Sequence, residues 1–436
     1  MNITYTQHRL ANGLDVLIHE DHGCPIVAVN VWYHVGSKNE VPGRTGFAHL
    51  FEHLMFEGSQ HYDRGFFQPL QEAGASLNGS TNADRTNYWE VVPTNALELA
   101  LWMESDRMGY LLPALTDAKF ENQREVVLNE RRQNYENRPY GFAGMALAAA
   151  LYAPDHPYHW ATIGGADDIR AARLDDVKAF FQTYYRPRNA SLALAGDVDT
   201  DTVLALATDY FGPIEGGDEP PAVVFTPPAA IGAEMRLSLE DRVELPRLYL
   251  AWHSPALFAS DDAELDLVGE VLGSGKTSRL YRTLVYEQRM ATEIAASQNS
   301  REIGGYFQIV ATAAPGRTLA ELERAIVQVL GTLTDSGPTA PEMERCQAQA
   351  EANFMYRLQT VGGFGGKGDQ LNAYNIYVGN PGFFETDLAR YRKVTPEGMQ
   401  RASREWLRRD ARVALSVVPR GQAAAALEGS QPVSVA

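Results

Sequence analysis

The chain has 436 residues, 45% of them hydrophobic and 21% charged, which excludes a disordered protein and supplies more apolar residues than one ordinary core uses. Two domains are therefore expected. The net charge of −17 argues against a nucleic-acid partner; it leaves either plain solubility or an acidic interior that attracts basic peptides.

In chain order, residues 8–20 alternate apolar and polar on both sides of Asn12-Gly13, a hairpin signal. Val27, Val29, Val31, Tyr33 and Val35 alternate with Ala28, Asn30, Trp32 and His34, as in a strand. A Pro42-Gly43 turn precedes a helix over 45–57, which Gly58 stops. A strand over 86–92 and helices over 94–110 and 116–136 follow. The second half repeats this order: a strand at 248–253, a helix at 261–272, a helical stretch at 279–290, a strand at 306–311, and helices at 318–330 and 341–358. Between the halves, residues 215–230 are rich in Pro and Gly and read as a linker. The expected fold class is α+β, with two similar domains, each a mainly antiparallel sheet flanked by helices. The expected division is a first domain over 1–214, a linker over 215–230, a second domain over 231–419 and a flexible tail over 420–436.

Cys24 and Cys346 form neither a disulfide framework nor a metal-site spacing, and read as small buried hydrophobes. The longest apolar stretch, 142–153, falls short of the ~20 residues of a membrane span, so no membrane partner is expected. The N-terminus runs straight into strand-like sequence without a visible signal peptide. That suggests a cytoplasmic location, or a periplasmic one if a leader has been removed.

The chemistry concentrates on residues 47–56. At about 100° per residue, Phe47, Leu50, Phe51 and Leu54 share one helix face while His49, Glu52, His53 and Phe56 share the other. Two imidazoles at i and i+4 converge on one tetrahedral centre, which suits zinc; an exposed polar stripe is the alternative. A catalytic zinc takes a third protein ligand. On the later helix Phe120, Gln123, Val126, Val127 and Glu130 share a face, opposite Glu121, Glu125 and Asn129, so Glu130 is expected on the buried side. A buried carboxylate needs a partner, either the metal or an arginine.

The segment His49-Leu50-Phe51-Glu52-His53, with Glu130 coming 77 residues after His53, resembles the inverzincin signature of the pitrilysin/insulinase family of zinc peptidases. It closely resembles two-domain bacterial members of the processing-peptidase branch. Asn78-Gly79-Ser80-Thr81, followed by Asp84, Thr86 and Tyr88, resembles the family's substrate-pairing edge strand. Tyr185-Arg186-Pro187 through Leu194–Asp197 and Gly273–Leu280 resemble further family segments. The resemblance implies His49, His53 and Glu130 as ligands of one zinc ion per chain and Glu52 as general base. It also implies Asn78, Gly79, Ser80, Thr81 and Tyr88 as substrate-binding residues, and domains that close as a clam-shell in a dimer.

Two departures stand out. Gln123 occupies a position where the family often has an outer-shell glutamate. Val285 and Thr292 occupy the positions of an Arg and a Tyr that bind substrate and the developing oxyanion, while Arg282, Tyr286 and Arg289 have the wrong spacing. The expectation is an endopeptidase subunit, acting on peptides in an enclosed chamber, in a heterodimer whose related partner supplies the Arg/Tyr pair. A non-catalytic core subunit of the same fold and a self-sufficient homodimer are the alternatives.

Overall fold

In the computed structural model, which describes residues 2–228 and 231–435, Asn12-Gly13 turns the first hairpin. Gly13 adopts φ +92°, and the Asn12 side-chain oxygen accepts the Leu14 amide at 3.2 Å. The flanking strands β1 (Thr6–Arg9) and β2 (Asp15–Glu20) pair antiparallel, Thr6 opposite Ile18. They join β3 (Ile26–Tyr33), β4 (Ser76–Thr81), β5 (Thr86–Pro93) and β6 (Ala190–Gly196) in a six-stranded sheet of order β1-β2-β6-β3-β5-β4. A second six-stranded sheet holds β7 (Met235–Asp241), β8 (Arg247–Ser254), β9 (Ala291–Asn299), β10 (Gly305–Ala313), β11 (Val413–Pro419) and β12 (Gln431–Pro432), in the order β12-β7-β11-β8-β10-β9. Strand for strand, β2-β6-β3-β5-β4 corresponds to β7-β11-β8-β10-β9, and this is the duplication read from element order. Both sheets are mixed rather than wholly antiparallel, because β2 runs parallel to β6 and β7 runs parallel to β11 and β12.

The division into units departs from a cut at 214. One unit comprises the chain up to Arg131, Trp160–Phe225 and Phe354–Thr386; the other comprises Arg132–His159, Thr226–Asn353 and the chain from Asp387 onward. The helix Ala143–Leu151 packs on β8 and β11 of the second sheet, and the helix Lys367–Val378 packs on β2, β3 and β6 of the first. Each half of the sequence thus contributes a helix to the other half's sheet, which no local pattern announces. Residues 215–228 carry no helix or strand, as expected of a linker, and positions 229 and 230 lie outside the described residues. The described part of 420–436 is not a loose tail: Leu427 is buried and β12 hydrogen-bonds to β7. Cys346 is buried but Cys24 is exposed, against expectation. No helix among the described residues is long and apolar enough to cross a membrane.

The helix Lys367–Val378 explains why every residue of β3 from Val27 to Tyr33 is buried although the pattern alternates. It covers the face bearing Ala28, Asn30 and Trp32 and satisfies their polar groups. Asp369 accepts the Trp32 indole N–H at 2.8 Å and the Asn87 amide at 3.0 Å through one oxygen, and the Gly365 amide at 2.7 Å through the other. Asn372 donates to the Asn30 carbonyl at 2.8 Å. Asp369→Ala strands several of these buried donors, each costing about 1–3 kcal/mol. The expected outcome is a loss of about 3 kcal/mol or more, read as a lowered urea midpoint, with Asp369→Asn losing less.

Candidate metal centre and active site

Helix α1 (Phe47–Leu54) divides its residues as the helical wheel predicts. Phe47, Leu50, Phe51 and Leu54 are buried, while His49, Glu52 and His53 are half-buried on the other side. Phe51 packs among the rings of Phe180, Phe181 and Tyr185. The start of α1 is fixed by two residues. Gly46 takes φ +90°, where a Cβ would meet the Ile163 carbonyl at 2.9 Å. The buried Glu40 carboxyl group accepts the amides of Gly46 and Ala48, each at 2.9 Å, which satisfies the first free N–H groups of the helix, while burial pushes its pKa up to about 8 against those bonds. The regular helix is shorter than the expected 45–57; Phe56 and Glu57 form a tightened last turn before Gly58 at φ +98°.

The helix Asp117–Arg131 packs beside α1 and runs into a single π-helical turn, Arg132–Glu136. Its buried residues are Phe120, Val127, Leu128 and Arg131. Val126, expected on the buried face, is exposed, because the face is centred one position further along the helix. Glu130 therefore sits at the rim, 34% exposed, instead of deep in the core.

There its Oε2 lies 3.3 Å from Nε2 of His53 and 3.6 Å from Nε2 of His49, and one ligand atom from each of the three residues falls within 4.8 Å of the others. Two ligands of a tetrahedral zinc at about 2.0–2.1 Å stand about 3.3 Å apart, so this donor set fits the ion. Gln123 orients His53. Its amide N–H₂ donates to Glu57, which can only accept, and that leaves its oxygen to receive Nδ1–H of His53 at 3.2 Å. The tautomer so fixed would turn the Nε2 lone pair to a bound zinc beside Glu130, the usual outer-shell function. Among the described residues the buried Nδ1 of His49 has no such partner.

Electrostatics separate the two imidazoles. Burial pushes His49 down to about 4, helped by the charge of His53 and opposed by Glu130. At His53 burial also lowers the pKa, but hydrogen bonding to Glu130 and the charges of Glu130 and Glu52 outweigh it, and the ring titrates above its ordinary value. Glu52, between the two, is raised, chiefly by burial, although the Thr81 hydroxyl donates to its Oε2 at 2.7 Å. A bound dication would pull in the opposite direction.

Thr81 closes β4, the edge strand of the first sheet. The strand's alternation sorts the remaining expected substrate residues. Gly79 and Thr81 face α1, whereas Asn78 and Ser80 face away, Asn78 folding back onto the Gly79 amide at 2.8 Å and Ser80 donating to Asn87 at 2.7 Å. Tyr88 corrects the sequence reading: it is fully buried one strand in, against Phe56 and Arg107, and offers nothing to a ligand. Val285 and Thr292 lie on different elements. Val285, in the π-helical stretch Tyr281–Glu287, packs against the second core, and Thr292 is exposed in β9. Sequence reasoning missed Glu40 and Glu57, whose partners are reached only through the fold.

Residues 15–156 match the family described as Insulinase (Peptidase family M16), and residues 171–350 match the Peptidase M16 inactive domain. The zinc protease PqqE of Helicobacter pylori is 31% identical over 355 residues, spanning 80% of this chain and 79% of that protein. The crystal structure of a protease from Helicobacter pylori superposes with a TM-score of 0.89 at 26% identity, covering 96% of this chain and all of that one. A peptidase M16 inactive domain from Pseudomonas fluorescens shares the fold, with a TM-score of 0.85 at 20% identity over 99% of this chain and 100% of that one. The chain belongs to the M16 peptidase family.

Glu40→Ala removes both capping acceptors from the helix that carries His49 and His53. Zinc affinity, measured by competition with a chromophoric chelator, is expected to fall about 10-fold or more. The urea midpoint should drop as well, since each buried amide left unpaired costs about 1–3 kcal/mol.

Proposed function

We propose that this chain is the zinc-bearing subunit of a metalloendopeptidase. The observation that carries the reading is the convergence of His49, His53 and Glu130 at zinc-ligand spacing with Glu52 beside them. A zinc ion held by those three residues supplies Lewis acidity, acidifying water and polarising a peptide carbonyl. The protein's own residues do the rest. Glu52, with Oε2 held by Thr81, takes the proton released as water attacks the scissile carbonyl. It then delivers that proton to the amine nitrogen as the C–N bond breaks, which leaves a carboxylate on one product and an amine on the other. β4, with its outer edge unpaired among the described residues, suits an extended peptide that adds one more strand.

The oxyanion is the weak point of a lone chain. Val285 has no donor and packs against apolar neighbours, and the Thr292 hydroxyl is far shorter than a phenol. A related partner with an Arg/Tyr pair would complete the site; a second copy of this chain would repeat the deficit.

Role separation is the direct test. Glu52→Gln should retain zinc and lose nearly all hydrolysis, because an amide cannot accept the proton; His53→Ala should lose both. Glu130→Gln should lower zinc content strongly while Glu125→Gln, at an exposed position, leaves it unchanged. Metal analysis beside a peptide assay reads all four variants, and zinc-loaded Glu52→Gln with substantial activity would overturn the base assignment.

For the partner, the zinc-loaded chain is assayed alone and with candidate related subunits. Stimulation of about 10²-fold or more is expected, the usual cost of a missing oxyanion donor. Full activity of the lone chain would refute the heterodimer.

A further inference from the structure

β4 has two faces, and only one looks toward α1. On the other, Ser76 and Asn78 stand directly opposite Val91 and Trp89 of β5. The glycine-rich stretch 359–366 lies over these residues. Gly362 has no side chain where a Cβ would meet Val91 at 2.5 Å and Ala28 at 2.6 Å, and the Gly365 amide is pinned to Asp369 at 2.7 Å. At the tip of this stretch Phe364 meets Trp89 edge-to-face, ring centroids 5.4 Å apart, and remains 51% exposed. A cavity of about 580 Å³ opens beside it, lined by Ile26, Ser76, Trp89, Val91, Val361 and Gly362. Asp21, which lines the cavity along with Gln359 and Thr360, pairs with Lys367 at 2.6 Å, so the cavity joins an apolar wall to a polar rim whose acidic group is already paired.

Three observations tie this cavity to the site. The side chains of β4 on this face, Ser76, Asn78 and Ser80, are short, so the half-buried Trp89 and the exposed Phe364 against it are not screened from a chain laid along the edge. An added strand presents alternate side chains to opposite faces, so half of them must point this way. Thr81, which holds Glu52, and Ser76, which borders the cavity, are ends of one strand and stand about 17 Å apart at ~3.4 Å per residue. Peptide residues opposite Asn78 and Ser76 are an odd number of positions, three and five, from the one opposite Thr81, as the change of face requires.

We propose that this cavity is a second substrate subsite, which takes an aromatic or large aliphatic side chain three to five residues from the scissile bond. The proposal rests on the peptidase reading above and adds a substrate class to it: extended peptides with an apolar anchor remote from the cut. An anchor whose contacts are the same in ground and transition states acts on KM and leaves kcat nearly unchanged.

The test uses the zinc-loaded Glu52→Gln full-length chain and fluorescein-labelled, alanine-rich extended peptides in which a single Trp is walked through every position. Anisotropy should show one position, or two positions two residues apart, where Trp binds about 10-fold or more tighter than Ala, the scale of burying one large apolar side chain. Phe364→Ala should cut that ratio to within about threefold. Ser76→Trp, which crowds the rim from an exposed position, should do the same. Peptides that bind with no preferred position, or with a preference that survives both substitutions, overturn the subsite and leave the peptidase reading standing. Failure of every extended peptide to bind overturns the strand-pairing reading of β4, and the subsite with it.

Discussion

Gly79 has no side chain at the point where a Cβ would come within 3.1 Å of both Phe56 and Tyr88. Its bareness lets the last turn of α1 lie against the edge of the first sheet. That approach brings the Thr81 hydroxyl to 2.7 Å from Glu52 and sets the strand edge beside the group of His49, His53 and Glu130. An alanine here would have to push Phe56 or Tyr88 aside by several tenths of an ångström in a closely packed interior.

Beneath that contact lies an unusual concentration of buried charge. The Arg107 guanidinium, with almost no exposure, bonds to Glu104 and Glu90 and faces the rings of Phe66, Tyr88 and Phe56. One cation cannot neutralise two carboxylates in an apolar setting; burial first, and then the charge of Glu104, hold Glu90 well above the carboxylate range. The protonated Glu90 then leaves a single ion pair under the aromatic layer. Breaking such a group is costly, whereas its net contribution to stability is small. It instead fixes the depth at which Phe56 and Tyr88 sit beneath β4.

Much of this was legible in the sequence because it is local. The Asn12-Gly13 hairpin and the apolar face of α1 follow from turn chemistry and a 3.6-residue period, and the order of strands and helices already revealed the duplication. The metal-ligand candidates on α1 could be read from i, i+4 spacing, and the third, Glu130, from the face of its helix together with the family resemblance. What failed was what depends on distant partners. Tyr88 belongs to β5, which β4 covers at the edge of the sheet, so its place in a motif did not reveal its burial. Val126 was misassigned because a wheel gives a face only to within about a residue. The alternation in β3 marked a strand but not what covers it: Asn30 and Trp32 lie under a helix more than three hundred residues away in sequence. The alanine-rich end looked loose because little in its composition advertises a strand, and β12 is only two residues long.

The exchanged helices bear on how the chain is made. Synthesis delivers β6 by residue 196, and with it the whole first sheet, but the helix that covers one of its faces is complete only at residue 378. At about 5–20 residues per second the ribosome needs roughly 10–40 s to cover that interval. Throughout it, the sheet face carrying Ala28, Trp32 and Ala193 stands open in the nascent chain. Vectorial folding of the first half therefore has no native cover for that face until the distal helix emerges.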